Sequence, residues 1–349
     1  MKVERCDRVE PSWNRLVSES GGASVFHLQE WRSVIQRAYG HQAHYLMATE
    51  GGTPLAVLPL VLVNSRLFGR ALVSMPYCDY AGVCGTDTPE VFSRLMDEAV
   101  RLGCEVRADY LQIRQSPFTS HGALAVPGVQ VMTNKVTMLL DLSRDHELIW
   151  KRLPTERRNR IKRARQSGVT VRWGGPESLD AFYDVFVENM RDLGSPVHSR
   201  FFFDIAVEAL GEHGRFVLVE FEGQVIGAAW CLGFRDTILV PWVSSRRRFF
   251  KQNPNMLLYW GVIEHGCENG YSVLDFGRST KDSGTYEFKR QWGARPVPLP
   301  WYNVAFSGGS VPAFSDGGWR EQMFIACWKR LPVGVTRYVG PWLRGAIPA

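Results

Sequence analysis

Polar and charged residues gather directly after one predicted strand in the last quarter of the sequence. Asp275 and Arg278 lie where strand 272–276 ends, and Tyr286 and Lys289 follow shortly after. A strand end followed by polar side chains is where open α/β sheets present ligand sites. A carboxylate, a guanidinium, a phenol and an ammonium at one such place could bind a polar substrate and handle its protons and charges. The sequence therefore predicts a ligand site in this region.

The segment 151–172 is the most strongly charged stretch of the chain. It holds nine lysines and arginines and a single acid, a net +8, whereas the whole chain carries +6 and everything else therefore sums to −2. Residues 155–166 are predicted to be helical, with Gly168 as a stop and only Ile161 and Ala164 as an apolar face. An anionic partner would relieve the repulsion among the cations, since arginine binds phosphate as a bidentate donor. A solvated helix face is the alternative.

Metal and thiol chemistry receive no support from the sequence. The seven cysteines form no CxxC pair, and neither the cysteines nor the histidines have the spacing of a metal site. An odd number of unpaired cysteines favours buried thiols in a reducing compartment. The N-terminus has no signal-peptide pattern, and the longest apolar stretch, 54–63, is about half of the ~20 residues that a membrane span needs. We expect a soluble cytoplasmic protein with no metal and no tightly bound cofactor.

The elements that must position these residues recur in two halves of the chain. A strand–turn–strand pattern appears twice at a constant offset, with Gly52 and Gly223 in the two turns, where positive φ is needed. Each hairpin is followed by a third strand, then by a helix that opens with Pro89 or Pro254, and then by another strand. The sequence therefore predicts one structural unit that is used twice. Each copy is predicted to have helices packed on a mixed sheet.

Length and composition agree with this organisation. The chain has 349 residues, and at roughly 150 residues per domain that predicts about two domains. Hydrophobic residues make up 45% and charged residues 22%, which excludes wholesale disorder, collagen-like repeats and coiled coil. We predict an α/β (α+β) fold with two tandem domains, each a mixed, mostly antiparallel sheet flanked by helices. The predicted boundaries are 1–143 for the first domain, 144–170 for a basic interdomain helix, and 171–349 for the second domain with its C-terminal tail.

Three stretches of the chain, taken together, have the order and spacing of a known family. They are Arg157-x-x-Arg160-Ile161-x-x-Ala164-x-x-x-Gly168, then Asp275-Phe276-Gly277-Arg278, and then Gly284-x-Tyr286-x-Phe288-Lys289-x-x-Trp292-Gly293. These stretches resemble the FemAB-like branch of the GNAT acyltransferase superfamily. Within that branch, the chain resembles the FemAB-type proteins associated with exosortase/PEP-CTERM and exopolysaccharide gene clusters. The resemblance spans most of the chain and implies two tandem GNAT-like domains.

The resemblance also implies a reaction and residues for it. Fem ligases transfer an aminoacyl group from aminoacyl-tRNA to an amine of a peptidoglycan precursor, which forms an amide. Lys289 falls on the lysine of the family's Phe-Lys pair, where a cation would stabilise negative charge on the reacting carbonyl or a neighbouring phosphate. Tyr286 would donate a hydrogen bond or relay a proton, and Asp275 and Arg278 would orient the acceptor. An ester or thioester donor is already activated, so no protein nucleophile is required.

The remaining predicted site residues bind substrate. They are Arg157, Arg160, Arg163, Phe288, Trp292, Asp79 and Tyr80. The last two follow a strand in the first half, where they could line an acceptor cleft or belong to an ordinary loop with a packed tyrosine. The segment 246–256 stands where a GNAT enzyme that uses acetyl-CoA carries a glycine-rich pyrophosphate loop. It contains no glycine, which counts against acetyl-CoA as donor.

The leading hypothesis is an acyl or aminoacyl transferase that forms an amide on an amino-bearing cell-envelope, exopolysaccharide or peptidoglycan precursor, with aminoacyl-tRNA or acyl-CoA as donor. The alternatives are an acyl-CoA-dependent GNAT N-acyltransferase acting on an amino sugar, and a non-catalytic accessory protein that binds RNA or another anion. The expected partners are anionic: tRNA or a nucleotide-linked or lipid-linked precursor. DNA is not expected, because the basic charge is local. The tail, with Tyr338 and Trp342 among arginines, could touch the inner membrane face or pack against the second domain.

Overall fold

The computed structural model describes residues 1–6, 8, 10–66, 68–119, 128–306, 311 and 318–348. Short 3-10 helices lie at Val25–His27, Pro176–Ser178, Gly211–His213 and Arg247–Gln252. In chain order the strands and α-helices are β1 (Lys2–Cys6), α1 (Pro11–Glu19), α2 (Glu30–Tyr39), β2 (Gln42–Glu50), β3 (Thr53–Ser65), β4 (Gly69–Ser74), β5 (Cys84–Gly85), α3 (Pro89–Glu105), β6 (Tyr110–Arg114), β7 (Gln130–Met132), β8 (Lys135–Asp141), α4 (His146–Arg152), α5 (Thr155–Gln166), β9 (Thr170–Gly174), α6 (Leu179–Leu193), α7 (Arg200–Leu210), β10 (Gly214–Phe221), β11 (Gln224–Phe234), β12 (Thr237–Ser245), α8 (Pro254–Glu268), β13 (Val273–Thr280), α9 (Gly284–Arg290), β14 (Arg295–Pro298), β15 (Trp301–Ala305), α10 (Trp319–Trp328) and α11 (Val333–Ala346).

The chain folds into two compact units whose boundaries differ from the predicted ones. Unit 1 comprises 1–136, 297–316 and 345–349, and unit 2 comprises 137–296 and 317–344. The first unit therefore ends before the predicted boundary at residue 143. Two segments that were predicted to belong to the second domain, 297–316 and 345–349, belong to unit 1. The reason lies in the sheets, because each one is completed by a strand from a distant part of the sequence.

Each unit contains one mixed sheet, and the two sheets share a strand order. The first sheet runs β1-β2-β3-β4-β6-β15-β7, with β5 on β3, and the second runs β9-β10-β11-β12-β13-β8-β14. The first four strands of each are antiparallel, whereas the fourth and fifth are parallel. A parallel neighbour needs a helical crossover, and α3 and α8 supply it. The predicted mixed α/β fold, with one unit used twice, is confirmed.

The two hairpins match down to a local irregularity. Strands β2 and β3 are joined by a two-residue turn ending in Gly52, and β10 and β11 by one ending in Gly223, with φ of 86° and 73°. Both strand pairs shift register just before the turn, between Ala48 and Thr49 in one and between Val219 and Glu220 in the other. A bulge of this kind bends the strand and increases its twist. The turn glycines that indicated a repeat in the sequence therefore mark equivalent structures.

The sixth strand of each sheet comes from outside the local run of strands. Strand β15 lies beside β6 in the first sheet, although it follows the whole of the second sheet's hairpin in sequence. Strand β8 lies beside β13 in the second sheet, although it precedes that sheet's other strands. Unit 1 ends before residue 143 because β8 belongs to the second sheet. It includes residues 297–316 because β15 belongs to the first sheet.

Helix α3 packs on the first sheet, and helix α8 packs on the second sheet and against α5. Helix α3 begins at the predicted proline, with the hydroxyl of Thr88 accepting the backbone N–H of Val91 (3.3 Å), and buries one face on the first sheet. Helix α8 begins at Pro254 and is buried over most of its length. It packs against both the second sheet and α5, so that α5 must bury a stripe of its own. The predicted helix starts at both prolines are therefore observed.

Candidate functional site

The strands β12 and β13 pair only briefly. Their parallel register runs from Thr237 opposite Val273 to Leu239 opposite Asp275, and no further pairing between these two strands is present in the part of the chain that the structure describes. Both strands nevertheless continue, to Ser245 and to Thr280. The carboxyl ends of two parallel strands therefore separate. Asp275 and Arg278 lie on one of these strands, β13, and Tyr286 and Lys289 lie on α9, the helix that follows it.

Asp275 lies at the last paired position of β13. Its side chain is fully buried, and its Oδ1 accepts hydrogen bonds from the hydroxyl of Thr137 on β8 and from the backbone N–H of Gly277 (2.8 Å). Gly277 has a φ of 77° inside the strand, a conformation that favours glycine. The carboxylate therefore fixes a turn in β13 rather than standing in open solvent.

The side chain of Lys289 bonds the carbonyl oxygens of the same turn in β13. Its Nζ donates to the carbonyl oxygens of Gly277 (2.8 Å) and Arg278 (3.0 Å), and the residue is 8% exposed. It comes from α9, a short helix capped by the hydroxyl of Ser283, which accepts the N–H of Tyr286 (3.3 Å). At this burial Lys289 is not an ordinary surface lysine. The ammonium that the sequence assigned to a reacting carbonyl is bonded to backbone carbonyls.

Arg157 is the residue whose environment differs most from expectation. It is 4% exposed and forms one stripe of α5 with Ile161 and Ala164. Its Nη2 donates to the carbonyl oxygen of Phe288 (2.9 Å) and to Oε1 of Gln291 (2.6 Å). Removal from water lowers the pKa of its guanidinium to about 10, and the neighbouring charge of Arg160 acts in the same direction. Even so, Arg157 stays charged at neutral pH.

The guanidinium of Arg157 also stacks on the aromatic residues of the C-terminal motif. It lies 4.7 Å from the ring centre of Phe288 and 4.8 Å from that of Trp292, within the range of cation–π attraction. Tyr259 of α8 packs against both rings. The first and last of the three motif stretches therefore meet, with Arg157 as the residue that connects them.

The other cations of α5 point outward. Arg160 and Arg163 are exposed, and Arg160 forms an ion pair with Glu156 one turn earlier. Arg165 is bonded to Glu264 of α8 through both carboxylate oxygens (2.8 and 2.9 Å). An exposed pair of this kind contributes little to stability. The helix therefore presents a charged outer surface and a buried inner stripe that includes one of its arginines.

The segment 246–256 lacks the geometry of a phosphate-binding loop. Arg246 and Arg248 both pair with Glu188 of α6, at 2.9 and 3.3 Å. Backbone N–H groups of the 3-10 turn are used inside it, since Phe249 bonds to Arg246 and Asn253 bonds to Phe250. Two of the three arginines here share the carboxylate of Glu188, which offsets part of their charge within the protein.

The two predicted residues of unit 1 lie in a filled region. Tyr80 is 1% exposed and packs edge-on against Phe26 (5.8 Å) and Phe118 (6.2 Å). Asp79 is half-buried beside it. The aromatic ring belongs to the core of unit 1, so the packed-tyrosine reading describes Tyr80 and the acceptor-cleft reading does not.

Sequence reasoning missed the residues that anchor the site from a distance. Thr137 and Gln291 bond directly to Asp275 and Arg157, yet neither belongs to a motif. Gln291 lies inside the spacing between Lys289 and Trp292, so the motif could have drawn attention to it. Thr137 gave no signal, because nothing local shows that β8 pairs with β13.

Two other features of the structure do not extend the site. A pocket between α6, α7 and α11 is lined by residues that include Tyr183, Phe201 and Pro341, and it contains none of the predicted site residues. Within the described ranges, no group of three His, Cys, Asp or Glu side chains is placed to hold a metal ion.

The comparison with family models identifies a domain in the second half of the chain. Residues 154–290 match the model of an acetyltransferase (GNAT) domain. The match begins just before α5 and ends with α9, so it contains the basic helix, the separated strands and the Phe-Lys pair. No curated protein matches the sequence. The resemblance to the GNAT superfamily is confirmed.

Solved structures show the same fold over most of the chain. The chain is similar to FemX, with a TM-score of 0.66 and 14% identity, over 87% of this chain and 97% of that one. It is also similar to a tandem GNAT protein from the clavulanic acid biosynthesis pathway (TM-score 0.55, 13% identity, 88% and 100% covered). A third similar structure is the C-terminal domain of a putative lysylphosphatidylglycerol synthetase from Agrobacterium fabrum (TM-score 0.56, 13% identity, 84% and 90% covered). At these identities the likeness establishes the tandem GNAT fold.

Proposed function

We propose that this chain, whose residues 154–290 match a GNAT acetyltransferase domain, is an N-acyltransferase that joins an activated acyl or aminoacyl group to an amine of a cell-envelope or exopolysaccharide precursor. The observation that carries the proposal is the separation of β12 and β13 beyond Leu239 and Asp275. Unpaired strand edges can bond the amide groups of an extended ligand, and this opening begins at the turn in β13 that Asp275 and Lys289 stabilise.

The proposed reaction needs orientation and charge more than a protein nucleophile. The acceptor amine attacks the carbonyl carbon of the donor, a C–N bond forms, and the C–O or C–S bond to the carrier breaks. The amine proton leaves with the carrier as a hydroxyl or thiol. Negative charge builds on the carbonyl oxygen during the attack, so fixed donors near it lower the barrier. Tyr286 and Arg278, on the two segments that flank the turn, are the residues we assign to proton relay and acceptor orientation.

We assign Lys289 a positioning role in place of direct contact with the reacting carbonyl. Its ammonium donates to the carbonyl oxygens of Gly277 and Arg278, while the carboxylate of Asp275 accepts the N–H of Gly277. The two side chains together hold the backbone of β13 in one conformation beside the opening. A misplacement of about 1 Å in such a site can cost ~10²-fold in rate.

We propose aminoacyl-tRNA as the donor in preference to acyl-CoA. The arginines at 246–248 are paired with Glu188 or lie in a turn without glycine, which gives a CoA pyrophosphate no cradle. Exposed cations of α5, by contrast, could contact a long phosphate backbone. We assign that contact to Arg160 and Arg163. Arg157 is buried and instead bonds α5 to the carbonyl oxygen of Phe288 on α9.

A transfer assay tests this proposal. Purified protein is incubated with envelope precursors and either a radiolabelled aminoacyl-tRNA pool or a labelled acyl-CoA pool. We expect label on the precursor that depends on intact tRNA and disappears when RNase is added first. Transfer from acyl-CoA alone would overturn the donor, and transfer from neither pool would overturn the enzymatic function.

A matched pair of variants tests the role of the basic helix. Arg160→Ala with Arg163→Ala should weaken tRNA-dependent transfer by about tenfold or more, because phosphate contacts are lost. Arg15→Ala is the control, since Arg15 is also an exposed helical arginine paired with a glutamate four residues away. Equal transfer by both variants would remove α5 from the donor site.

A further inference from the structure

Exposed apolar side chains concentrate on the last two helices of unit 2. Among the described residues, seven of the twelve large hydrophobic side chains that are exposed lie on α10 and α11. They are Trp319, Met323, Phe324, Val335, Tyr338, Val339 and Trp342. Soluble proteins rarely leave large contiguous apolar patches in water, and such patches usually mark an interaction site.

The exposed side chains of α11 lie on one face of the helix. Val335, Tyr338, Val339 and Trp342 have the spacing i, i+3, i+4 and i+7, which aligns them along one stripe. Tyr338 is 87% and Trp342 is 71% exposed. This amphipathic helix therefore presents its apolar face to the solvent.

The opposite side of α11 explains how it is held in that orientation. Thr336 and Gly340 are buried, and a Cβ built on Gly340 would lie 2.8 Å from a side-chain methyl of Val197 and 3.1 Å from its backbone nitrogen. Arg337 pairs with Asp184 of α6 at the edge of this contact. The small residues let α11 approach the body of unit 2 closely, which fixes the aromatic stripe outward.

The charge of the segment has one sign. Residues 318–346 contain five lysines and arginines and one acid, a net +4. Lys329 and Arg330, in the connection between the two helices, are both exposed. With the basic segment at 151–172 and this one set aside, the rest of the chain sums to −6. Lys329 and Arg330 therefore place exposed positive charge on the connection that leads into α11, against the trend of the remaining chain.

We propose that α10 and α11 form a docking surface for a bilayer that contains anionic lipids. Tryptophan and tyrosine suit the boundary between headgroups and acyl chains, because their rings are apolar with one polar edge. Lysines and arginines beside them attract anionic headgroups. None of the described helices has the length and apolarity to span a membrane, so the helices would lie along the interface. The inference does not require the transferase chemistry.

A vesicle flotation assay tests the docking surface. The wild-type chain is mixed with vesicles of phosphatidylcholine alone or of equal parts phosphatidylcholine and phosphatidylglycerol. We expect flotation with the mixed vesicles, little with phosphatidylcholine, and weaker binding at high salt because the electrostatic part is screened. The double variant Tyr338→Ser/Trp342→Ser should bind the mixed vesicles at least about tenfold more weakly, since it removes two large apolar side chains from the stripe.

A matched double variant controls for the loss of exposed apolar surface. Leu148→Ser/Phe250→Ser replaces two exposed hydrophobic residues of unit 2 outside α10 and α11, and it should float like the wild type. Circular dichroism melts check that all variants are folded. Failure of the wild type to float, or equal flotation of the Tyr338/Trp342 variant, overturns the proposal. A wild-type dimer in sedimentation velocity that this variant dissociates would also overturn it and assign the stripe to a second copy of the chain.

Discussion

The two units have the same strand order, yet their parallel strand pairs end differently. In unit 1 the hydroxyl of Ser74 accepts the backbone N–H of Arg114 (2.7 Å), and the carbonyl of Arg114 accepts the N–H of Ala81 (3.1 Å). The loop that follows β4 therefore returns and fills the space beside β6. In unit 2 the chain after β12 turns directly into a 3-10 helix and α8.

Equivalent positions on the fifth strands carry different chemistry. In the registers of the two sheets, Gln112 corresponds to Asp275 and Arg114 corresponds to Gly277. Gln112 and Asp275 each form a hydrogen bond to the sixth strand of their own sheet. Gln112 bonds to Asn303, and Asp275 bonds to Thr137. Unit 1 therefore has a neutral amide (Gln112) and a buried cation (Arg114) at these two positions. Unit 2 has a carboxylate (Asp275) and a glycine at which the strand bends (Gly277). The two units therefore differ at the positions that frame the proposed site in unit 2.

The strongest test of this contrast is the loss of the lysine that holds the bend. Lys289→Met keeps much of the side-chain volume but removes both hydrogen bonds to the backbone of β13. We expect turnover to fall by between about tenfold and a hundredfold, because the turn beside the opening is released. Rates in the transfer assay measure the effect, with Arg290→Ala as a neighbouring control on the exposed side of α9. Unchanged turnover would remove the turn from the mechanism.

The corresponding change in unit 1 should affect stability and leave turnover of the folded protein intact. Arg114 is fully buried and donates to Oε1 of Gln112 (2.9 Å) and to the carbonyl oxygens of Cys78 (3.3 Å) and Pro348 (2.7 Å). Arg114→Met leaves buried acceptors without these donors, which costs about 1–3 kcal/mol per unsatisfied group. Urea unfolding measures the loss. A fall in turnover at full folding would show that unit 1 takes part in the reaction.

A pH dependence is expected from a buried histidine of unit 1. Burial lowers the pKa of His27 to about 4 from its usual 6.5. Between these two values the unfolded chain binds the proton and the folded chain does not, so stability falls as the pH falls through this range. His27 should cost about 2 kcal/mol between pH 7 and pH 5. Urea midpoints at the two pH values check this, and His27→Gln should reduce the difference.

The smallest effect is expected where a single hydroxyl closes the junction of unit 1. Ser74→Ala removes the acceptor for the N–H of Arg114 and should destabilise the protein by about 1 kcal/mol. Ser244→Ala, near the end of β12, is the control in unit 2, where the hydroxyl accepts a hydrogen bond from the side chain of Asn189 (3.1 Å). If Ser74→Ala alters turnover more than Ser244→Ala does, the distinction between the two junctions is wrong.

The sequence was informative where a local feature forces a local structure. Gly52 and Gly223 predict their turns because few other residues adopt positive φ, and Pro89 and Pro254 predict helix starts because proline needs no N–H partner there. Together these features predicted the repeat. The partners of β8 and β15 could not be predicted, because strand pairing across the chain leaves no mark in either segment alone.

The site illustrates the same limit. The stop at Gly168 correctly predicted a helix at residues 155–166. The charge of that helix suggested that Arg157 faces an anion, whereas packing and hydrogen bonds bury it against Phe288 and Trp292. The burial of an arginine depends on partners more than a hundred residues away, which composition does not reveal. Lys289 lies in the motif that was predicted, but the direction of its ammonium depends on the bend at Gly277.

The exchange of sixth strands has a consequence for how the chain matures on the ribosome. Strand β6 gains its partner β15 only after residues 301–305 have been synthesised, so the first sheet waits with an open edge while unit 2 is made. An unpaired strand edge is a template for wrong pairing, and N-terminal regions ordinarily fold first during synthesis. Here the N-terminal region should be among the last to complete its sheet, so a chain that ends before residue 301 should aggregate rather than yield a folded first unit.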